Sequence, residues 1–365
     1  MQDQLAPLYL LPPPANTPWA GTPGQTIQSQ VARTDADPLI VNLPLFWYDP
    51  RWSRLTTQQA DDLAVAVSRY DVLVSALRSD LAGADTEPSF HAPIKNESDE
   101  ESPGEVSPDS DAAFFPRIVP YRPERYGLNA ADFDQATIID VRLMMPRDTS
   151  GRFAYSPDQI ARWESKTQVE DVEGSWVPAA TFPPDVDSFE NLPTKLQQLR
   201  YLAPSAAVFT SIGPYRLEEE IPLAVGSKPD GLIVRFDEVA LEPLQLAALT
   251  RRARQLMNAA NAKHTPLWIV PGEITADDAV KLVALGADAI GVDAWCNPLM
   301  DDSQIDQSSH YSSRIDFDEL AEEALYDLIE RFSGLYLSLQ RVPRKERLGS
   351  FSTGWAKTLN IKALR

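Results

Sequence analysis

Gly231-Leu-Ile-Val-Arg235, Pro266-Leu-Trp-Ile-Val270 and Ala289-Ile-Gly-Val292 are three short apolar runs, and their spacing decides the fold. Each is too brief for a helix, and longer segments with a 3.6-residue period separate them. Short buried runs alternating with helices signal βαβ units, and three in succession predict a parallel sheet with its helices outside. The segment Asp277 to Asp288 predicts a helix capped by Thr275 and closed by Gly286 before the chain re-enters the sheet. Strand, turn, helix, Gly-Ala-Asp, strand is how many barrels of eight βα units finish. The expected class is therefore α/β, a (β/α)8 TIM barrel.

Working outward from that core, residues 1–37 are rich in Pro, Gln, Thr and Gly without a sustained period and read as an extended arm, on the surface or disordered. Pro38-Leu-Ile-Val-Asn-Leu-Pro44 reads as the first strand, and the barrel is expected over 38–299. Ala60, Leu63, Ala64 and Val67 stand at helical spacing behind a cap at Thr56 or Thr57, and Asp71-Val-Leu-Val-Ser75 follows as a strand. Residues 96–111 form an acidic tract too poor in apolar side chains to repay its ordering entropy, and read as a disordered insertion. Arg117-Ile-Val-Pro-Tyr121 and Thr137 to Leu143 read as strands, the latter alternating Ile139, Val141 and Leu143 against Asp140 and Arg142. An irregular excursion from Met144 to Ser188 suits a loop over the barrel mouth. Helices are expected over 188–202 and 215–225, with a strand over 206–212 between them. A C-terminal extension over 300–365 is expected to carry a helix from Asp316 to about Gln340 and a basic tail.

Composition narrows the partners. With 33 Lys and Arg against 53 Asp and Glu the formal charge is −20, which disfavours nucleic acid and anionic membranes. No apolar run approaches the roughly 20 residues of a membrane helix. The N-terminus lacks a basic region and is broken by prolines, unlike a secretory signal, so a cytoplasmic address is expected. The single cysteine, Cys296, excludes an internal disulfide and an iron-sulfur cluster held by this chain alone.

In its order of motifs the chain resembles the flavin-binding synthase domain of glutamate synthases and its stand-alone archaeal-type relatives, from about Pro38 to Ala294. Arg125-Tyr-Gly-Leu-Asn129 and then Ala136-Thr-Ile-Ile-Asp-Val-Arg142 are similar to the family's Arg-Phe-Gly-Val-Asn and Ala-Asp-Ala-Ile-Glu-Ile-Lys. Pro184-Asp-Val-Asp-Ser-Phe-Glu-Asn-Leu192 resembles its His-His-Asp-Ile-Tyr-Ser-Ile-Glu-Asp-Leu, and Ala287-Asp-Ala-Ile-Gly291 its last strand. The resemblance implies FMN as cofactor and reduction of the imine of 2-oxoglutarate and ammonia to glutamate. The chain departs from the family at Met144-Met-Pro-Arg-Asp-Thr-Ser-Gly151, where the family holds its flavin with a Gln and a Lys. Arg235-Phe-Asp-Glu-Val-Ala-Leu-Glu-Pro243 replaces a Gly-rich loop, and the cluster's three cysteines are missing.

By this resemblance the flavin phosphate falls after the seventh and eighth strands, at Gly272, Glu273, Gly291 and Asp293, with Met145 and Thr210 lining the ring. Glu273 and Asp293 bring negative charge to that place. Two unit charges about 4 Å apart repel by roughly 4 kcal/mol at an effective dielectric near 20, about three decades of affinity. The histidines His91, His264 and His310 are scattered without metal spacing, and His264 is expected to cap a helix C-terminus. The acidic pairs Asp61-Asp62, Asp277-Asp278 and Glu218-Glu-Glu220 fall on helices and read as solvated faces. Two functional readings result: a divergent FMN-dependent oxidoreductase, or a catalytically inactive barrel kept as a scaffold or ligand-binding module. In the second, the acidic insertion and the basic tail serve as protein contacts.

Overall fold

The computed structural model describes residues 3–13, 27–34, 36–81, 116–122, 128–134, 136–143, 154–155, 177–178, 186, 188–300 and 316–365. The acidic insertion 96–111 lies outside them.

Eight parallel strands close into a barrel: β1 Leu45–Trp47, β2 Leu73–Ser75, β3 Arg117–Tyr121, β4 Ala136–Arg142, β5 Ala207–Ile212, β6 Gly231–Arg235, β7 Leu267–Val270 and β8 Ala289–Gly291. Each pairs with its neighbour in sequence, and the seam closes where Ile290 and Gly291 of β8 meet Leu45 and Phe46 of β1. The expected (β/α)8 architecture is what the chain adopts.

The helices form for local reasons that the sequence carries. α1 (Thr57–Ser68) starts with a reciprocal capping box between Thr56 and Gln59 and buries Ala60, Leu63, Ala64, Ala66 and Val67. Helices α2 (Leu192–Leu202), α3 (Leu217–Gly226) and α4 (Pro243–Ala259) cover the next strands. α5 (Ala276–Leu285) begins at the Thr275 cap and ends at Gly286, whose φ of +131° is one an L side chain rarely adopts. α6 (Asp293–Cys296) is a single turn, and α7 (Phe317–Gln340) lays Ala321, Leu325, Leu328 and Phe332 against the barrel's outer layer.

Three expectations about the chain ends need correcting. The run from Pro38 is not the first barrel strand: Ala36–Val41 pairs antiparallel with Ser29–Arg33 as a hairpin, and β1 begins after Pro44. A barrel strand must be buried on both faces, as Leu45–Trp47 is, whereas Ala36–Val41 exposes most of its residues. Val31 and Val41 of the hairpin join the barrel's interior cluster. Residues 3–13 of the arm are anchored: Leu5 and Leu8 are fully buried, and Tyr9–Leu10 forms a small sheet with Leu348–Ser350 and Lys362–Ala363 of the tail. Finally, Asp278 is no solvated helix charge. Its carboxylate accepts the amides of Gln4 and Leu5 at 2.9 and 3.0 Å and the ammonium of Lys281 at 3.2 Å, which clamps the N-terminal segment to α5.

Candidate functional site at the barrel mouth

Inward-facing residues alternate along each strand, and they change character from one end to the other. β4 offers Ile138, then Asp140 and Arg142; β5 offers Ala207 and Phe209, then Ser211; β6 offers Gly231 and Ile233, then Arg235. The middle of the barrel is aromatic. Trp268 lies 4.8 Å from Phe46 and 4.7 Å from Phe209 between ring centroids. A Cβ on Gly231 would stand 2.3 Å from the ring of Phe209, so this glycine makes room for the aromatic layer.

Above that layer, at the C-terminal ends of the strands, the fully buried ring of Tyr48 is flanked by two guanidiniums, with Arg142 Cζ 4.1 Å and Arg235 Cζ 5.1 Å from its centroid. Arg142 donates to Asp140 Oδ2 at 3.0 Å, to the Tyr48 carbonyl at 2.7 Å and to Ser75 Oγ at 3.0 Å, and pairs with Asp49 at 3.3 Å. Ser211 Oγ donates to the other oxygen of Asp140. Arg235 forks onto Asp237 at 2.9 and 2.6 Å, with Glu238 at 3.6 Å and Asp49 at 3.7 Å. Burial works against the charge on Arg142, but the carboxylates of Asp140 and Asp49 help to outweigh it and hold the guanidinium above its ordinary range. Burial likewise keeps the Tyr48 phenol neutral by raising its pKa. Tyr48 Oη and Glu238 Oε2 are buried without a hydrogen-bond partner among the described residues.

The turn after the eighth strand adds a fifth carboxylate to this end. Asp293, in the first turn after β8, folds back over the seam and accepts the amide of Asp49 at 2.7 Å and that of Tyr48 at 3.2 Å. Burial first, then the neighbouring carboxylates of Asp237 and Asp49, raise its pKa from 3.8 to about 7, against the lowering effect of the Asp49 amide and of Arg235. A Cβ on Gly291 would meet Asp293 Oδ2 at 3.2 Å, so the carboxylate lies directly against the end of β8.

The residues expected from the sequence are thus partly brought together. Gly291 and Asp293 are in contact. Gly272 occupies the turn after β7 with φ +82°, a left-handed conformation, 3.7 Å from Asp237 as measured from its virtual Cβ. Glu273 is exposed, and its carbonyl accepts from Gln4 of the N-terminal segment. Thr210 does not line the mouth: strand alternation turns Phe209 and Ser211 inward and leaves Thr210 on the helix side, between Val208 and Ile212 of the outer cluster. Met145 lies outside the described residues, as do His91 and His310. His264 is exposed in the turn before β7. Cys296 is buried, and burial followed by the charge of Asp293 raises its thiol pKa, which makes it a poor nucleophile.

Sequence reasoning missed Tyr48, Asp49, Asp140, Arg142 and Arg235. The signal was present in Asp140 and Arg142. In a parallel strand covered on both faces, a charged alternate position must point into the barrel, because the outer face belongs to the helices.

The sequence matches no protein-family model, and no curated protein matches it by sequence. Among solved structures it is similar to the recombinant flavin-binding domain of baker's yeast flavocytochrome b2, with 12% identity, 99% of this chain and 79% of that chain covered, and a TM-score of 0.49. A mandelate oxidase in complex with (S)-2-phenylpropionate gives 11% identity, 92% and 84% coverage, and a TM-score of 0.45. The likeness is one of fold. Among the described residues no helix is long and apolar enough to cross a membrane, and no group of three or more His, Cys, Asp or Glu could hold a metal ion.

A flavin phosphate placed after β7 and β8 would meet the chain's own anion there. The amides of Tyr48 and Asp49 are already taken by Asp293, Pro271 carries no amide hydrogen, and Asp237 stands beside Gly272. With Asp293 ionised, these residues do not fit a dianionic phosphate.

Proposed function

We propose that this protein is a catalytically inactive (β/α)8 barrel, related in architecture to flavin-binding barrels and kept as a scaffold or ligand-binding module. The observation that carries this reading is the position of the Asp293 carboxylate against Gly291, holding the amides of Tyr48 and Asp49. The two mouth arginines support it, since each is engaged by carboxylates of the same chain. The acidic insertion and the basic tail would then serve as contacts for a protein partner in the cytoplasm, with neither nucleic acid nor membrane as target.

A second reading is favoured by Gly272, whose left-handed turn still allows close approach of a ligand to the main chain. In that reading the protein is an FMN-dependent oxidoreductase, in the extreme a reducer of the imine of 2-oxoglutarate and ammonia. Its flavin would bind best when Asp293 is protonated, below about pH 7. The purified protein is mixed with FMN at pH 6 and at pH 8, passed through gel filtration, and its visible spectrum recorded. A colourless protein at both values supports the inactive barrel. Flavin co-eluting near one per chain would overturn it, and uptake confined to pH 6 would identify Asp293 as the gate.

A further inference from the structure

The opposite end of the barrel carries a cleft of about 430 Å³, between the ends of α3 and α4 and the turn of the N-terminal hairpin. That volume lies in the range of small-molecule sites. Val225 and Pro229 give it an apolar floor, while Arg33, Lys228 and His264 supply its rim.

Two features distinguish this cleft from an ordinary gap between loops. Lys228 and Asn261, which both line it, have left-handed backbones with φ of +58° and +61°. Each follows a helix C-cap, the position where glycine is the usual occupant because a Cβ is penalised there. Asparagine tolerates that conformation through its short polar side chain. A lysine does not share this advantage, so Lys228 holds a strained backbone at the lip of the cleft.

The second feature is charge. Asp230 is the carboxylate among the lining residues, and it is buried and already engaged by Arg200 at 2.9 Å, the Val208 amide at 2.8 Å and the Thr34 amide at 3.2 Å. Arg33, by contrast, donates to the main-chain carbonyls of Asp37 and Ser205, which leave its charge uncompensated by those bonds. Among the described lining residues the cations Arg33 and Lys228 thus outnumber the carboxylate of Asp230 and face an apolar floor, in a chain of net charge −20.

We propose that this cleft binds a small organic anion, an apolar body bearing a phosphate or carboxylate, with Lys228 and Arg33 holding the charged end. The site goes beyond the reading of the mouth and stands whether or not the mouth takes a flavin.

Phenyl phosphate is the probe, titrated calorimetrically into the full-length protein beside inorganic phosphate and phenol. Phenyl phosphate is expected to bind at one per chain and tighter than either fragment. A Cβ on Gly226 would meet nothing within 4 Å, so Gly226→Phe should fold normally, fill the cleft and abolish binding. Lys228→Gly should weaken binding about tenfold while raising Tm, because it removes the charge and relieves the backbone together. No heat with phenyl phosphate would overturn the proposal, as would binding unchanged in Gly226→Phe and Lys228→Gly. Both substitutions leave the mouth residues in place, so the result is separable from flavin uptake there.

Discussion

At the N-terminal end of the barrel, Val31 and Val41 of the hairpin join Ile138, Ala207 and Ala289 in one apolar cluster. At the other end of the same strands, Tyr48 is held between Arg142 and Arg235 amid carboxylates. The first end is sealed by side chains that pack without directional demands. The second is held by charges that tolerate burial only because each has a partner. Yet it is the apolar-sealed end that leaves an open cationic cleft at its rim, while at the charged end both arginines are engaged by carboxylates of the same chain. A barrel mouth rich in ionisable groups is therefore not by itself a reactive one, since reactivity needs groups left available to a substrate.

The sharpest way to break this comparison is to remove one ion from the mouth. Arg142→Met leaves Asp140, which is fully buried, without its guanidinium, and is expected to cost about 3–5 kcal/mol in urea unfolding at pH 7. Adding Asp140→Asn should restore much of that loss, because the cost lies in the unpaired charge. A single variant as stable as the parent would show that the network does not hold the mouth.

A pH series separates the two ends further. The pKa of Asp293 is raised from 3.8 to about 7 in the folded chain, so the folded state binds the proton more tightly than the unfolded one. Its stabilising contribution is full below about pH 4 and is lost as pH rises through 7, a change of up to about 4 kcal/mol. Asp293→Asn should flatten the stability profile between pH 5 and 8. A slope unchanged by the substitution would assign the pH dependence to other carboxylates.

The smallest expected effect is at the apolar end. Val31→Ala removes buried methyl groups from the interior cluster and should cost about 2 kcal/mol with no pH dependence. Chemical denaturation at pH 5 and 8 checks both parts. A cost that varied with pH would mean that the two ends are coupled through the aromatic layer of Phe46, Phe209 and Trp268.

How much of this was legible in the sequence differs between fold and site. Thr275, Gly286 and the runs at Gly231, Leu267 and Ala289 act locally, through capping, a left-handed turn and strand-length burial, so they declared βα units before any contact was known. The same local logic failed at Pro38, because an apolar run does not say which neighbour it pairs with, and at Thr210, where a slip of one residue exchanges the inside of the barrel for the outside.

By itself, then, the sequence determined the α/β class, the βα repeat of its C-terminal half, the long helix after Asp316, and Gly291 with Asp293 as neighbours at a strand end. Tertiary structure alone decided that Asp49, Asp140, Arg142 and Arg235, which lie as far apart as 186 residues in the chain (235 minus 49), converge on one tyrosine. It also decided that Asp293 turns back on the seam of β1 and β8, and that Lys228 and Arg33 line one cleft at the opposite end. Capping and periodicity are written within a few residues, whereas the partner of a charge is set by barrel closure, which brings together strand ends that no local pattern relates.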